Sequence, residues 1–295
     1  MFKEISIIGL GFMGASVAGA VKAANPEIKI KGYDIKRKNI DYCLSVKIID
    51  GEVDFESRKY AGDDSLIIMC AHPSAIISFL ENQAVFFECA GAVTDVGSVK
   101  RAITENAKAK NIKNFVGSHP VSGSDKSGPE NADFTLFNGK NCIVVREDED
   151  LNDNVRSRLI EKIAEFWKSL KMRVVFSTAE IHDNIAAYTS HLPHLIAFLL
   201  SGTTLAHVLK EKENFAKTVT SCFIGSGFKD STRIASSTPE LWTDIFLMNS
   251  ANLISSLEDF MLSANILKGF LENGDKESLA GAIRKIADER KEVGI

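Results

Sequence analysis

A doubly wound α/β sheet followed by an all-helical region is the fold class this sequence predicts. Three observations predict it. Short β-rich apolar runs alternate with helical patterns over residues 1–177, a glycine-rich turn joins the first run to the first helical pattern, and after about residue 178 strand signals give way to apolar spacings of three and four. The expected division is therefore 1–177 and 178–295, two domains as the length suggests.

In order, EISII at 4–8 reads as a compact apolar strand, 15–24 as a helix and 28–33 as a second strand. SLIIMC at 65–70 is the third strand, AVFFE at 84–88 the fourth and 115–118 a short fifth. NCIVVR at 141–146 is the sixth, 156–170 a helix, and RVVF at 173–176 closes the series. Such alternation argues for one parallel sheet covered by helices on both faces. In the second half Ile181, Ile185, Tyr188, Leu192, Leu195, Ile196 and Leu199 follow a helical period, and 215–224, 239–262 and 278–293 also read as helices. The stretch 241–262 is apolar around most of its circumference, so it needs burial on more than one side; a homodimer through this helical region is expected.

Of the 295 residues 45% are apolar and 25% charged, an ordinary globular composition. A formal net charge of −4 speaks against a nucleic-acid partner, and the lack of any 18-residue apolar run speaks against a membrane span. Residues 1–21 read as a first strand and its turn rather than a secretion signal, because glycines interrupt the apolar run. Five scattered cysteines (Cys43, Cys70, Cys89, Cys142, Cys222) without CxxC spacing fit a reducing cytoplasm and neither a disulfide frame nor a metal site.

GLGFMG at 9–14 is a G-x-G-x-x-G string between a strand and a helix. Gly9 permits the tight turn, Gly11 lets the backbone approach a pyrophosphate, and Gly14 lets helix and strand pack closely; the amides around Phe12 and Met13 open the helix toward the anion. Asp34, at the end of KIKGYD, accepts from ribose hydroxyls and repels a 2′-phosphate. This points to NAD, with NADP less favoured; Lys36 and Arg37 would soften that preference. The turn Ala71-His72-Pro73-Ser74 follows the third strand and faces the same crevice, His72 as a turn or rim residue and Ala71 and Pro73 as cofactor contacts.

TDVGSVK at 94–100, with Asp95 and Ser98, and GSHPVSGS at 117–124, with His119 and Ser124, fall where the nicotinamide and substrate belong. His119 is the candidate acid or base, since imidazole titrates near neutrality and can take the proton of an alcohol as hydride leaves the same carbon. In SHLPH at 190–194, Ser190 and His194 lie about 40° apart on one helix face, and Pro193 is expected to kink the helix. Substrate hydrogen bonding fits this cluster better than zinc, for which no further ligand stands at a recognised spacing. In GSGFKDSTR at 225–233, Arg233 offers a bidentate fork to a carboxylate and Asp230 could hold it in place.

Taken together, GLGFMG, TDVGSVK, GSHPVSGSDKSG, HDNIAAYTSHLPH and GFKDSTRIASSTPELW resemble the prephenate dehydrogenase family of tyrosine biosynthesis, in order and along nearly the whole chain. The resemblance implies oxidative decarboxylation of prephenate to 4-hydroxyphenylpyruvate with NAD, on a Rossmann-like domain followed by a helical dimerisation domain. By that resemblance His119 contacts the ring hydroxyl as catalyst and Ser98 bonds near the hydroxyl and the nicotinamide. Arg233 binds a substrate carboxylate, and His194, Ser190, Ser124 and Trp242 line the substrate, with Trp242 supplied by the same chain or by the partner subunit. With the chain ending near residue 295, neither a fused mutase nor a C-terminal regulatory domain is expected, and any inhibition by tyrosine would act at the active site. Three alternatives stay open: arogenate, alone or with prephenate, as substrate; a β-hydroxyacid dehydrogenase using Lys229 as base; and an NAD sensor without turnover.

Overall fold

A computed structural model describes residues 2–56, 62–123, 126–210 and 222–294. They fall into two compact units, Met1–Asn249 and Ser250–Ile295. The first unit opens with β1 (Glu4–Ile8), α1 (Phe12–Ala24), β2 (Lys29–Tyr33), α2 (Arg37–Ser45), β3 (Gly51–Glu52), β4 (Gly62–Met69), α3 (Pro73–Asn82), α4 (Ala84–Glu88), β5 (Ala90–Asp95), α5 (Arg101–Ala109) and β6 (Phe115–Val116). These six strands form one parallel sheet in the order β3-β2-β1-β4-β5-β6. The order reverses at β1, which pairs with β2 on one side and β4 on the other. A ligand crevice opens at the carboxyl ends of the strands at such a reversal.

Burial alternates along the strands with period two. Leu66 and Ile68 of β4 join one apolar core with Ile5, Ile7 and Ile30, while Ile67 and Met69 join another with Ile8 and Val93. The sheet is thus buried on both faces, which explains why its central strands read as unbroken apolar runs.

Two expectations are corrected here. AVFFE is the short helix α4, not a strand, and Phe86 and Phe87 both drive it into the second core. The strand is the next segment, AGAVTD. Its Ala-Gly start reads as a turn, but a Cβ on Gly91 would lie 2.6 Å from the Asp63 carbonyl oxygen, so glycine marks a close approach to the neighbouring strand. The sheet is also not single. After Gly117 the chain leaves β6 and enters β7 (Ser118–Pro120), which pairs antiparallel with β8 (Asn141–Val145); β8 pairs in parallel with β9 (Arg173–Ser177). The expected fifth strand is therefore split between two sheets, and the expected sixth and last belong to the smaller one. Helix α6 (Asn154–Ser169) packs on β5, β6, β8 and β9 and so bridges both sheets. Its fully buried Trp167 donates from Nε1 to Ser118 Oγ at 3.0 Å, tying down the residue before His119.

Beyond residue 177 all described elements are helical: α7 (Ala179–Ala186), a π-helical turn (Ala187–His191), α8 (Leu192–Lys210), α9 (Ser226–Thr232), a 3-10 turn (Arg233–Ser236) and α10 (Pro239–Met248). The first compact unit reaches past 177 because α7 packs on α5 and α10 on α3. Most of the helix expected at 215–224 lies outside the described residues. The helix expected over 239–262 is broken at Asn249, whose side chain is drawn into hydrogen bonds with Asp183 and His191.

The second unit is α11 (Ser250–Glu272) and α12 (Lys276–Glu292), packed on each other and joined by a short turn in which Asp275 caps α12 by accepting from Ser278 N at 3.0 Å. Its apolar side chains Ile254, Phe260, Met261, Leu262, Ile266, Leu271, Ile283 and Ile286 are exposed. Among the described residues no helix is long and apolar enough to cross a membrane.

Candidate active site

The crevice at the sheet reversal has a backbone built for an anion. A Cβ on Gly9 or Gly14 would collide with the Cys70 or the Gly9 carbonyl, so helix and strands meet at a distance only glycine allows. Gly11 faces open space and begins α1 without a side-chain cap, leaving the amides of the first turn, at Phe12 and Met13, directed outward. Asp34 follows β2, and its Oδ2 accepts from Leu10 N at 2.8 Å while Oδ1 accepts from Lys36 N at 2.7 Å. The carboxylate thus holds the glycine loop and sits where a ribose would meet it. These features fit a dinucleotide. Arg37 is drawn aside: Asp41 binds its Nε at 2.8 Å and Glu52 its Nη1 at 2.9 Å. Ala71 lies between β4 and α3, and buried Pro73 opens α3, at the carboxyl edge beside the glycine loop. His72 between them is exposed and makes no side-chain cap.

Beside this edge, the loop from β5 to α5 folds over a buried ion pair. Lys100 and Asp95 are both fully buried and paired. Lys100 Nζ also donates to the Ser118 carbonyl at 2.8 Å, and Asp95 accepts from Gly97 N at 2.9 Å and Ser118 N at 3.1 Å. Asp95, expected at the cofactor, is therefore turned inward with both carboxylate oxygens occupied. Ser98, between them in sequence, is half-buried at the loop's surface.

His119 stands on β7 opposite Ile143 and is half-buried. Its Nδ1 lies 2.8 Å from Nε2 of His182, and His182 Nδ1 lies 2.7 Å from Asp183 Oδ1. Both His182 and Asp183 are on α7 and buried. Enclosure by protein lowers the His119 pKa well below its ordinary value, with His182, Lys100 and His191 adding to the effect, so the ring is neutral near pH 7. Asp183 stays charged: burial opposes this, but bonds from His182 and from the amides of Lys100 (2.7 Å) and Arg101 (3.0 Å) prevail.

The π-helical turn then carries the chain to His191 and His194. His191 is fully buried, and burial pushes its pKa down to about 4. Its Nδ1 is 3.1 Å from Asn249 Nδ2, an amide nitrogen that can only donate; the ring proton therefore sits on Nε2, which points toward the Ser98 carbonyl without a well-formed bond. His194 donates from Nδ1 to the Ser190 carbonyl at 2.8 Å, which places Ser190 and His194 together as expected. Burial lowers the His194 pKa, and the charge of Arg233 adds to the effect. Trp242, from α10 of the same chain, stacks on His194 with ring centroids 3.6 Å apart. Arg233 is exposed in the 3-10 turn that packs on α8. The expected Asp230–Arg233 pair is absent among the described residues: α9 ends at Thr232, and the i, i+3 face is not continued. Pro193 sits in the first turn of α8, and the departure from α geometry is the π turn before it. Lys229 is exposed on α9. Ser124 lies outside the described residues.

Sequence reasoning assigned no role to His182, Asp183, Lys100 or Asn249. An adjacent His-Asp pair just after a threonine N-cap was the available signal, but the partner of His182 is 63 residues earlier in the chain, a distance no spacing rule covers.

Residues 17–176 match the family described as Prephenate dehydrogenase, nucleotide-binding domain, and residues 178–285 that described as Prephenate dehydrogenase, dimerization domain. A cyclohexadienyl dehydrogenase of Zymomonas mobilis is 29% identical, over 95% of this chain and 92% of that one. A prephenate dehydrogenase of Lactococcus lactis is 31% identical, over 88% and 68%. The crystal structure of prephenate dehydrogenase from A. aeolicus with hydroxyphenyl propionate and NAD+ superposes with a TM-score of 0.85 at 30% identity, covering 99% of both chains.

Proposed function

Since this chain belongs to the prephenate dehydrogenase family, we propose that it oxidatively decarboxylates prephenate to 4-hydroxyphenylpyruvate with NAD+. In this reading residues 1–177 serve the cofactor and 178–295 serve the substrate and a homodimer. Gly9, Gly11, Phe12, Met13, Gly14, Asp34, Ala71 and Pro73 hold the dinucleotide, whose nicotinamide supplies the hydride acceptor when bound. The exposed apolar side chains of α11 and α12 support the dimer. The composition and cysteine usage suit the cytoplasm.

The observation that carries the reading is a half-buried imidazole, His119, just past the carboxyl end of β6 of the dinucleotide-type sheet and bonded to His182; enclosure by protein lowers its pKa and favours the neutral form. Removing hydride from the ring carbinol leaves its hydroxyl strongly acidic. His119 accepts that proton, a contribution of about 10²–10⁴-fold for a placed base. Ser98 orients the hydroxyl. Carbon dioxide leaves from the opposite ring carbon, the ring aromatises, and the phenolate oxygen takes the proton back from His119. Arg233 binds a carboxylate that stays in the product, so that the departing one is not held back. His194, Ser190 and Trp242 shape the pocket around the ring and side chain.

The cation beside His194 is Arg233; a cation suits the keto acid side chain of prephenate over the amine of arogenate. The cyclohexadienyl dehydrogenase relative supports arogenate as the second reading. NADH formation followed by absorbance, with prephenate and arogenate in parallel, tests both. Prephenate turnover with the larger kcat/KM is expected. No turnover of either would overturn the proposal.

A further inference from the structure

We infer that His182 and Asp183 are positioning residues that fix which nitrogen of His119 is free to take a proton. The inference rests on the reading of His119 as the base. Its evidence is a chain of three buried or half-buried side chains in hydrogen-bond contact. Asp183 stays ionised, so it can only accept, and the 2.7 Å contact places the His182 proton on Nδ1. In the proposed arrangement that is the only proton on His182, and its Nε2 presents a lone pair. The 2.8 Å contact to His119 Nδ1 requires a proton on that nitrogen. By elimination, the lone pair of His119 is on Nε2. Without the chain, free imidazole would populate both tautomers.

Asp183 is itself held from three sides. Lys100 N and Arg101 N donate to its carboxylate, and Asn249 Nδ2 donates to its backbone carbonyl at 2.7 Å. The charged and titratable groups facing this chain are few. Lys100 is neutralised by Asp95 beneath it, the Arg101 guanidinium is exposed and paired with Glu105, His191 is kept neutral by burial, and burial keeps Cys142 of β8 a thiol. The Asp183 carboxylate is thus the buried charge left to balance an imidazolium. When the hydroxyl proton moves to Nε2 of His119 and the C–H electron pair leaves with hydride, the positive charge on His119 is one imidazole away from that carboxylate.

The test combines a tautomer measurement with three variants. In the wild-type protein, 15N chemical shifts near neutral pH should show the Nδ1–H form of His119; this reading needs no turnover and stands even if neither cyclohexadiene substrate reacts. His182→Leu removes the acceptor and should lower kcat about 10²-fold or more with KM nearly unchanged. His182→Gln, whose amide oxygen can accept from His119 Nδ1, should recover activity to within about tenfold of wild type, a rescue no merely structural role would give. Asp183→Asn removes the charge and should move the acid limb of kcat/KM to lower pH while lowering the plateau. An Nε2–H form of His119 in the wild type, a His182→Leu kcat within threefold of wild type, or His182→Gln no better than Leu would each overturn the inference. If Leu or Asn fails to fold, the wild-type tautomer and the Gln variant decide.

Discussion

Lys100→Met leaves Asp95 as an uncompensated charge in the protein interior. Both side chains of the pair are at 0% exposure, and the lysine Nζ also holds the Ser118 carbonyl at 2.8 Å. Breaking a buried pair from one side costs about 3–5 kcal/mol, because the remaining charge keeps its desolvation penalty without its partner. With a urea slope of about 3 kcal/mol/M, that is a fall in midpoint of about 1–1.7 M. Trp167 fluorescence is a suitable probe, since its indole is bonded to Ser118 next to the altered site. A second substitution, Asp95→Asn, should recover part of the loss by removing the stranded charge, although it weakens the bonds to the Gly97 and Ser118 amides. The reasoning fails if Lys100→Met costs less than about 1 kcal/mol, the range of an exposed pair, or if the two substitutions simply add.

Steady-state kinetics should separate base from clamp: His119→Ala lowers kcat by about 10²–10⁴-fold with a small change in KM, whereas Arg233→Ala raises KM about 10–150-fold, matching a charged hydrogen bond of about 1.5–3 kcal/mol. Glu52→Gln with Asp41→Asn frees Arg37 and should raise kcat/KM for NADP+ relative to NAD+; an unchanged ratio means that Arg37 does not reach the 2′ position. Neutral His119 is the competent base, and enclosure favours that form, so the acid limb of kcat/KM should lie below the ordinary histidine value of about 6.5. For stability the sign follows from the same shifts. The unfolded chain binds protons at His119 and His191 that the folded one refuses, so stability is full above about pH 6.5 and declines as pH falls, for His191 through about 4. Unfolding midpoints that do not change between pH 7 and 5 would contradict this.

The cofactor half was legible wherever local geometry dictates the residue. A strand, a turn only glycine can make, a helix start and an acidic strand end all report through short-range sterics, and GLGFMG with Asp34 carried them. Local reading failed where a neighbour in space decides. AVFFE has the composition of a strand, but two adjacent phenylalanines enter the core from a helix, and the true strand opens with small residues because the next backbone is close. The switch of sheets at Gly117 is set by the pairing of Ser118–Pro120 with residues 142–144, which no periodicity encodes. In the site, His119 and His194 stand in conspicuous motifs, whereas the support for His119 comes from α7 and gains its meaning only through folding.

The π turn at Ala187–His191 makes the count of residues between α7 and α8 a matter of catalysis. A π turn accommodates roughly one residue more than an α turn and is held in place only by what surrounds it. Relaxing that turn into α geometry with every residue kept would rotate α8 by about 100° about its axis. His194 would then swing away from the face of Trp242 while His182 stayed put, so loss of the π turn would dismantle the substrate side and leave the proton acceptor intact.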